Sequence, residues 1–574
     1  MDLGVCAVFL LLSALAADSV SGGCPDGCKC RESKVLCQNI SEFPSSISST
    51  TSTLYIANAS ISSLRPADVE GFAAALSMFV VKDSAMAEVL AGTFDKTRNL
   101  VALGLSGTRL QSLPDELFRN LGKVKSLTLS KNKILVLAPD LLSPLGDLQN
   151  LDLSGNLLTH VPGEAFRRLG QLQIVNLAQN NIANLSRETF RGLGELRFLR
   201  LNRNAVGEIP PGCFDDLVNL EELSLQDNRI ESLPGRLFSS QRKLKKLYLS
   251  NNRLSLLPRG IFLDLPDLVQ ISLFENRLSG VPAGVFGPMA LRELWLYDNR
   301  LTRLEDGAFS NLTRLRLLVL SRNRIGSVPA GAFGGLAELG EVSLHTNLLS
   351  GLEEGTFSGL PKLENISLEH NLIQSLPGKL FHGLPPLWEV DLHNNSLRSL
   401  SQEVLDSLDA VKEVKLAQNP WRCDRDILPL RDWVRRHPSK VQNASLLTCL
   451  SPDSLAHAKI TDLTNEEAEA WRPSTSTATT PSGDLATPTE MRRRPHTPPP
   501  KKSTPAAPAA TTPPVRDDSN HGDGEGLSRD AKIIIITLVC IAIIATVIIC
   551  WICYRRKKRA SRTLYHQARK NTVI

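Results

Sequence analysis

Apolar residues recur at a fixed interval through the middle of the chain, in the pattern L-x-L-x-x-N-x-L with other apolar residues replacing some leucines. The pattern starts fifteen times at steps of 23 to 25 residues: Leu54, Phe79, Leu103, Leu127, Leu151, Val175, Leu199, Leu223, Leu247, Ile271, Leu294, Leu318, Val342, Ile366 and Val390. The alternation that opens each unit predicts a short strand with two apolar side chains turned inward. Because the interval is so regular, the strands are predicted to stack side by side as a parallel sheet.

Two further positions of each unit fit the same architecture. The Asn, as at Asn132 and Asn156, is expected to bond backbone groups that a tight turn leaves unpaired. A Phe fifteen residues after the start, as at Phe166, is expected to stack under the opposite side, where Leu-Pro pairs predict short turns. The pattern resembles the leucine-rich repeat. This resemblance implies an α/β horseshoe solenoid over residues 54–413, with the parallel sheet on its concave face and short turns or 3-10 segments on its convex face.

The two ends of the chain predict a membrane-anchored protein that faces the cell exterior. Residues 1–22 hold a short apolar run followed by small residues, which is typical of a signal peptide. Residues 473–531, rich in Thr, Pro and Ser, predict a glycosylated stalk without a core. Residues 532–554 are long and apolar enough for one transmembrane helix through the lipid bilayer. The basic residues 555–574 that follow predict a cytoplasmic tail.

The extracellular cysteines form two groups that predict disulfide-closed ends of the solenoid. The group in residues 23–53 and the group in residues 414–472 are Cys24, Cys28, Cys30 and Cys37, and Cys423 and Cys449. An oxidising compartment favours disulfides, and the absence of a nearby His weighs against the alternative of a zinc site. The pairing of the first four is left open. Both segments resemble the caps of extracellular leucine-rich repeats, but the second departs from that pattern, with one bridge where two are usual.

Composition and charge exclude two functional classes. The net charge is +6, and because the last twenty residues carry +8, the rest of the chain carries −2 and offers no basis for binding nucleic acid. The sequence contains no phosphate-binding loop, no HExxH, no G-x-S-x-G and no cysteine–histidine pairing at catalytic spacing. The chain is therefore predicted to be no enzyme and to need no cofactor.

The variable positions of the predicted sheet are the candidate ligand contacts. They lie one residue before the first apolar position of each unit, and one, three and four residues after it. Tyr248, Phe274, Trp295 and Tyr297 occupy such positions in three successive units, and clustered exposed aromatics are typical of interface anchors. The alternative is that the rings only cover one another. Histidines that face outward in later units support a weaker hypothesis of pH sensing: His345, His370 and His393.

Short motifs predict glycosylation and a cytoplasmic partner. N-x-S/T sequons predict N-glycosylation at Asn39, Asn58, Asn184, Asn311, Asn365, Asn394 and Asn443. Those at Asn365 and Asn394 fall on the sheet, so glycans there would screen its carboxy-terminal part and leave ligand binding to the middle. The last residues, Thr572, Val573 and Ile574, fit a carboxy terminus that PDZ domains capture.

Three stretches carry a closer resemblance, to extracellular leucine-rich-repeat membrane proteins. They are residues 286–300 (FGPMALRELWLYDNR), 342–347 (VSLHTN) and 419–434 (NPWRCDRDILPLRDWV). The resemblance implies a single-pass type I glycoprotein of the plasma membrane that binds extracellular matrix proteins, such as collagen, fibronectin or laminin, in cell adhesion and migration. It also implies an alternative, a co-receptor that binds other membrane glycoproteins laterally, as in platelet glycoprotein complexes.

Overall fold

A computed structural model describes residues 24–161 and 163–470, and each repeat in these ranges opens with a strand. The strands are β1 (Cys28–Arg31), β2 (Lys34–Gln38), β3 (Thr53–Ala57), β4 (Ser63–Leu64), β5 (Met78–Lys82), β6 (Glu88–Val89), β7 (Ala102–Ser106), β8 (Ser126–Thr128), β9 (Asn150–Asp152), β10 (Ile174–Asn176), β11 (Phe198–Arg200), β12 (Glu222–Ser224), β13 (Lys246–Tyr248), β14 (Gln270–Ser272), β15 (Glu293–Trp295), β16 (Leu317–Val319), β17 (Glu341–Ser343), β18 (Asn365–Ser367), β19 (Glu389–Asp391), β20 (Glu413–Lys415), β21 (Trp421–Arg422) and β22 (Cys449–Ser451).

Most of these strands belong to one long sheet, which confirms the predicted parallel stacking. Within the described residues the sheet has 18 strands. β1 pairs with β2 in antiparallel fashion, and β2 pairs with β3 in parallel fashion, so the amino-terminal segment adds two strands to the repeats. The register sets the first apolar residues of successive units side by side, as for Leu247, Ile271 and Leu294. β4 with β6, and β21 with β22, form separate two-stranded sheets.

From the fourth repeat onward, a row of mostly buried asparagines joins each repeat to the one before it. The Asn252 side-chain oxygen accepts a hydrogen bond from the Ile230 backbone N–H at 3.0 Å. Its amide nitrogen donates to the carbonyls of Leu225 at 3.0 Å and Leu249 at 3.1 Å. The same three kinds of bond recur at other repeats, for example at Asn276. A side chain that is both donor and acceptor thus satisfies backbone groups that the tight turn leaves without a sheet partner.

The side of the solenoid opposite the sheet is packed by phenylalanines. Five consecutive rings stack with centroids 5.6 to 6.4 Å apart: Phe190, Phe214, Phe238, Phe262 and Phe286. The chain outside them runs mostly through turns, with short helices at Pro66–Glu70, Gly163–Phe166 and Gln402–Leu408. The 3-10 segments of the described residues lie beyond the repeats, at Arg425–Ile427, Ala444–Leu446, Asp453–Leu455 and Ile460–Asp462.

Disulfides lie at both ends of the repeats, and the predicted presence of disulfide bonds is confirmed. Cys24 pairs with Cys30, and Cys28 with Cys37, which fixes the pairing that the sequence left open. At the other end a bridge joins Cys423 to Cys449. The helix Leu428–Arg436 contacts the helix Gln402–Leu408, and its Trp433 is fully buried, with the indole N–H donating to Asp409 at 2.7 Å.

Several predictions from the sequence fall outside the described residues. They concern the signal peptide (1–22), the stalk (473–531), the transmembrane segment (532–554) and the basic tail (555–574), together with the PDZ-type end at Thr572, Val573 and Ile574. In residues 24–161 and 163–470, no helix combines the length and apolar character needed to cross a bilayer.

Candidate ligand-binding face

Alternate side chains of each strand point away from the core and form what we call the open sheet face. It consists of the residues one before the first apolar position of each repeat, and one, three and four after it. In β15, Leu294 is buried, whereas Glu293 is exposed and Trp295 is half-buried. The two-residue period of a strand makes these positions independent of core packing. Those that stay accessible, such as Trp295, are therefore free to contact a ligand.

Three aromatic residues on this face are in ring contact and form what we call the aromatic cluster. The rings of Phe274 and Tyr297 stack with centroids 4.5 Å apart and an interplanar angle of 8°. Trp295 meets Tyr297 edge to face, with centroids 6.3 Å apart at 74°. All three side chains are half-buried, so each keeps part of its surface in solvent. The rings do cover one another, as the alternative interpretation expects, and they also remain accessible.

Tyr248 lies on the same face but not beside the other rings. The strand register places Ser272 between Tyr248 and Trp295. Two strand spacings, about 10 Å, therefore separate the two aromatic positions. The Tyr248 hydroxyl donates to the Gln270 side-chain oxygen at 3.4 Å. Tyr248 is thus an outlying member of the predicted contact set.

The tyrosines of the face have perturbed ionisation. Burial raises the pKa of Tyr297 to about 12, and the carboxylates of Glu275 and Asp298 add to the rise. Burial also raises the pKa of Tyr248. Asp298 is paired with Arg322 at 2.7 Å. Both phenols therefore stay protonated at physiological pH and can donate a hydrogen bond to a ligand.

The later repeats carry a different group on the same face, which we call the acid–histidine cluster: Glu369, His370, Asp391 and His393. The side chains of Glu369 and Asp391 are almost fully buried, at 1% and 0% exposure. Lys415 Nζ lies 3.4 Å from Asp391 Oδ2 and 2.5 Å from Glu389 Oε1. Buried carboxylates are stable only with such compensation, so this part of the face is held together by charge.

The two histidines of this cluster belong to a chain of hydrogen bonds. His393 Nδ1 lies 2.6 Å from Asp391 Oδ1, and His393 Nε2 lies 3.2 Å from His370 Nε2. Asn394 Nδ2 contacts His370 Nδ1. One set of neutral tautomers satisfies every contact, because His393 then donates to Asp391 and His370 donates to His393. In the described part of the chain, no group of three or more His, Cys, Asp and Glu side chains is arranged to hold a metal ion.

The sequons differ in their positions, and their glycosylation remains a prediction. The sequon asparagines that lie exposed are Asn39, Asn58, Asn184, Asn311, Asn394 and Asn443. Asn365 is half-buried in β18 on the open sheet face, and Asn394 lies four residues after the first apolar position of its repeat, on the same face. Both lie in or beside the acid–histidine cluster rather than the aromatic cluster.

Sequence reasoning missed the depth at which the acids of the face are buried. Glu369 and Asp391 occupy positions that the repeat pattern assigns to solvent, yet both are almost fully buried, and Asp391 is covered by His393 and by Lys415 of the next repeat. The exposed Trp388, with Lys412 Nζ 3.4 Å above its ring centroid, was also missed. It lies two residues before the first apolar position, outside the variable set.

Comparison with known proteins identifies the repeat independently. The family described as leucine rich repeat matches in nine overlapping segments that together span residues 98–420. Nephrocan of Mus musculus is 32% identical over 116 residues, which are 20% of this chain and 22% of Nephrocan. The chain therefore spans only about a fifth of the length of that relative in the alignment.

Two solved structures share the architecture. The plant peptide hormone receptor RGFR1, in complex with RGF2, aligns at 27% identity with a TM-score of 0.52 and covers 67% of this chain and 62% of its own. The glycosylated Toll–Spatzle complex of Drosophila aligns at 18% identity with a TM-score of 0.50, over 77% of this chain and 72% of its own, and shows the fold alone. The sheet register, the buried asparagines and the matched segments together establish that this chain belongs to the leucine-rich repeat family.

Proposed function

We propose that the open sheet face binds a protein ligand, with the aromatic cluster as its anchor. The observation that carries this proposal is the contact of Phe274, Trp295 and Tyr297 on a face whose positions are not needed by the core. Rings that pack on one another are already ordered, so they lose little side-chain conformational entropy when a ligand binds. Aromatic side chains at the centre of a protein interface contribute most of its free energy.

The surroundings of the cluster support a protein partner. Acidic and basic groups flank the rings, as Asp298 and Arg322 do, and a polar rim around an apolar centre is typical of protein interfaces. The related fold of RGFR1 was solved in complex with RGF2. We infer a non-catalytic binding role from this combination.

The finer proposal is an adhesive receptor for extracellular matrix at the plasma membrane. It rests on the sequence: a signal peptide, sequons, an apolar segment at 532–554, and stretches that resemble leucine-rich repeat-containing protein 15. Collagen, fibronectin and laminin are the candidate ligands. The amino terminus would lie outside the cell, the segment 532–554 would cross the lipid bilayer, and the tail ending in Thr572, Val573 and Ile574 would be open to a PDZ protein.

The test is binding of the soluble fragment 24–472 to immobilised collagens, fibronectin and laminin. We expect saturable binding by the wild type and at least ~30-fold weaker binding by the Trp295→Ala/Tyr297→Ala variant, since an aromatic anchor contributes about 2 kcal/mol or more. Trp388→Ala is the matched control, because it removes an equally large ring that is 52% exposed and lies off the variable positions. Equal losses in both variants would contradict the proposed site.

An exposed pair of leucines favours the alternative function, a co-receptor. Leu348 and Leu372 are 51% and 50% exposed on adjacent repeats, and the Leu372 N–H donates to the Leu349 carbonyl at 2.9 Å, which holds the two positions side by side. An exposed apolar pair at the sheet edge fits lateral contact with another membrane glycoprotein. Failure of the fragment to bind any matrix protein, with binding restored by a co-expressed surface glycoprotein, would favour this function.

A further inference from the structure

A row of arginines lies along the edge of the sheet, outside the open sheet face. In five consecutive repeats the residue that follows the buried Asn is an Arg with an exposed side chain. We call this row the arginine ladder: Arg229, Arg253, Arg277, Arg300 and Arg324. The same position is occupied by Ala205 in the repeat before the ladder and by Leu348 in the repeat after it.

Backbone hydrogen bonds fix the spacing of the ladder. The Arg253 N–H donates to the Ile230 carbonyl at 2.8 Å, directly after Arg229 in the chain. Equivalent bonds of 2.9 Å hold Arg277, Arg300 and Arg324 against the preceding repeats. The five positions therefore follow one another at about the strand spacing of ~4.8 Å and span ~19 Å.

The ladder keeps most of its positive charge available. Within residues 24–161 and 163–470 its one ion pair joins Arg253 Nη1 to Glu231 Oε1 at 3.5 Å. Two residues before the arginines lie three acids, Asp227, Glu275 and Asp298, and two of them pair with arginines at that same position of a neighbouring repeat. Asp227 pairs with Arg203, and Asp298 with Arg322.

The column of residues beside the ladder, two positions after each arginine, indicates which kind of partner the ladder fits. Two residues after each arginine, four of the five positions are small or hydroxylated: Ser255, Ser279, Thr302 and Gly326. A folded protein typically places an apolar centre at its interface, and a single-stranded nucleic acid typically stacks its bases on aromatic side chains. This column offers neither, whereas a line of evenly spaced guanidinium groups matches a flexible chain of repeated oxyanions.

We propose that the arginine ladder binds a linear sulfated polysaccharide. Each sulfate can accept two parallel hydrogen bonds from a guanidinium group, and successive sulfates can engage successive rungs. The binding would be electrostatic and would weaken steeply with salt, because bound counterions are released from the polyanion. This site lies at the sheet edge, so it does not depend on the protein-binding role of the aromatic cluster.

The test measures retention of the purified full-length protein on immobilised heparin over a range of salt concentrations. The variant Arg277→Gln/Arg300→Gln/Arg324→Gln should bind at least ~10-fold more weakly, with the slope of log affinity against log salt reduced by about 2 to 3. The control Arg236→Gln/Arg242→Gln/Arg259→Gln removes the same charge from exposed positions of the outer arc. It should stay within about twofold of the wild type if position rather than net charge decides binding.

Competition experiments distinguish binding of a sulfated polysaccharide from binding of other polyanions. Hyaluronan, poly-glutamate and single-stranded DNA are used as soluble competitors, and each should compete at least ~10-fold less well than heparin. Thermal unfolding of every variant verifies that the fold is retained. Equal weakening by the outer-arc control, unchanged binding by the ladder variant, or equal competition by DNA or poly-glutamate would overturn the proposal, as would a wild-type protein that heparin fails to retain.

Discussion

Two regions of the open sheet face stand on the same scaffold but are stabilised in different ways. Around β14 and β15, the aromatic cluster places carbon against carbon and leaves the rings half-exposed. Around β18 and β19, the acid–histidine cluster buries the carboxylates of Glu369 and Asp391, and Asp391 contacts His393 and Lys415. The difference teaches that the repeat fixes backbone positions only. Side chains of the same and the adjacent repeat decide whether a face position is a ligand contact or a buried, paired charge.

The largest expected loss of stability follows removal of a buried asparagine. Comparing one such loss beneath each region tests whether the scaffold stabilises both regions equally. Asn276→Ala and Asn371→Ala each remove hydrogen bonds to a backbone N–H and to two or more carbonyls. Buried backbone groups are then left unsatisfied, at a cost of about 4 kcal/mol in the free energy of unfolding. Urea denaturation should show equal losses. A loss confined to one region would mean that the face, not the scaffold, stabilises it.

The second effect is a loss of stability at the position one residue after the first apolar position of the repeat. Asp391 occupies this position in β19 and Trp295 occupies it in β15. Asp391→Ala removes the partner of Lys415 and His393, and breaking a buried ion pair costs about 3 kcal/mol. Stability unchanged by Asp391→Ala would show that the buried carboxylate is not structural.

Trp295→Ala changes the same column in the aromatic region, and its effect on stability should be smaller. The ring is half-exposed, so its removal costs about 1 kcal/mol of apolar burial. Ligand binding should fall far more than stability does. A stability loss as large as that of Asp391→Ala would show that Trp295 is a structural residue, and would favour the interpretation in which the rings serve only to cover one another.

The smallest effect concerns pH. The pKa of Tyr297 is raised to about 12 in the folded chain, above its ordinary value of 10.0. The unfolded chain releases this proton first, so the contribution of Tyr297 to stability is complete below pH ~10 and is lost as the pH rises towards ~12. Ultraviolet absorbance of tyrosinate should show a late titration phase that disappears in Tyr297→Phe. Persistence of that phase in the variant would assign it to another tyrosine.

Much of this fold could be predicted because the repeat is local. The period of the apolar residues gave the strands and their register, and the cysteine groups indicated disulfides at both ends. The pairing of Cys24 with Cys30 could not be predicted, since four cysteines allow three pairings and spacing does not choose among them. Structure was needed to show that β1 and β2 extend the sheet through that cap.

The site was harder to predict because it depends on neighbours one repeat away. The sequence grouped Tyr248 with the other aromatics, yet the ring contacts join Phe274, Trp295 and Tyr297. The buried Asp391 carries no sequence signal, because its burial follows from its contacts with His393 of the same repeat and Lys415 of the next strand. The arginine ladder was readable from the repeat alignment, but only its backbone bonds show that the spacing is fixed.

A glycan placed beside the aromatic cluster tests directly whether a ligand contacts that cluster. Gln270→Asn creates the motif Asn-Ile-Ser in β14, at the position that Asn365 occupies in β18. The control Gln270→Asn/Ser272→Ala keeps the new asparagine but removes the sequon. We predict that the glycosylated Gln270→Asn fragment loses saturable binding to the matrix protein that retains the wild type, while the control binds as the wild type does. Full binding by the glycosylated variant would contradict the account.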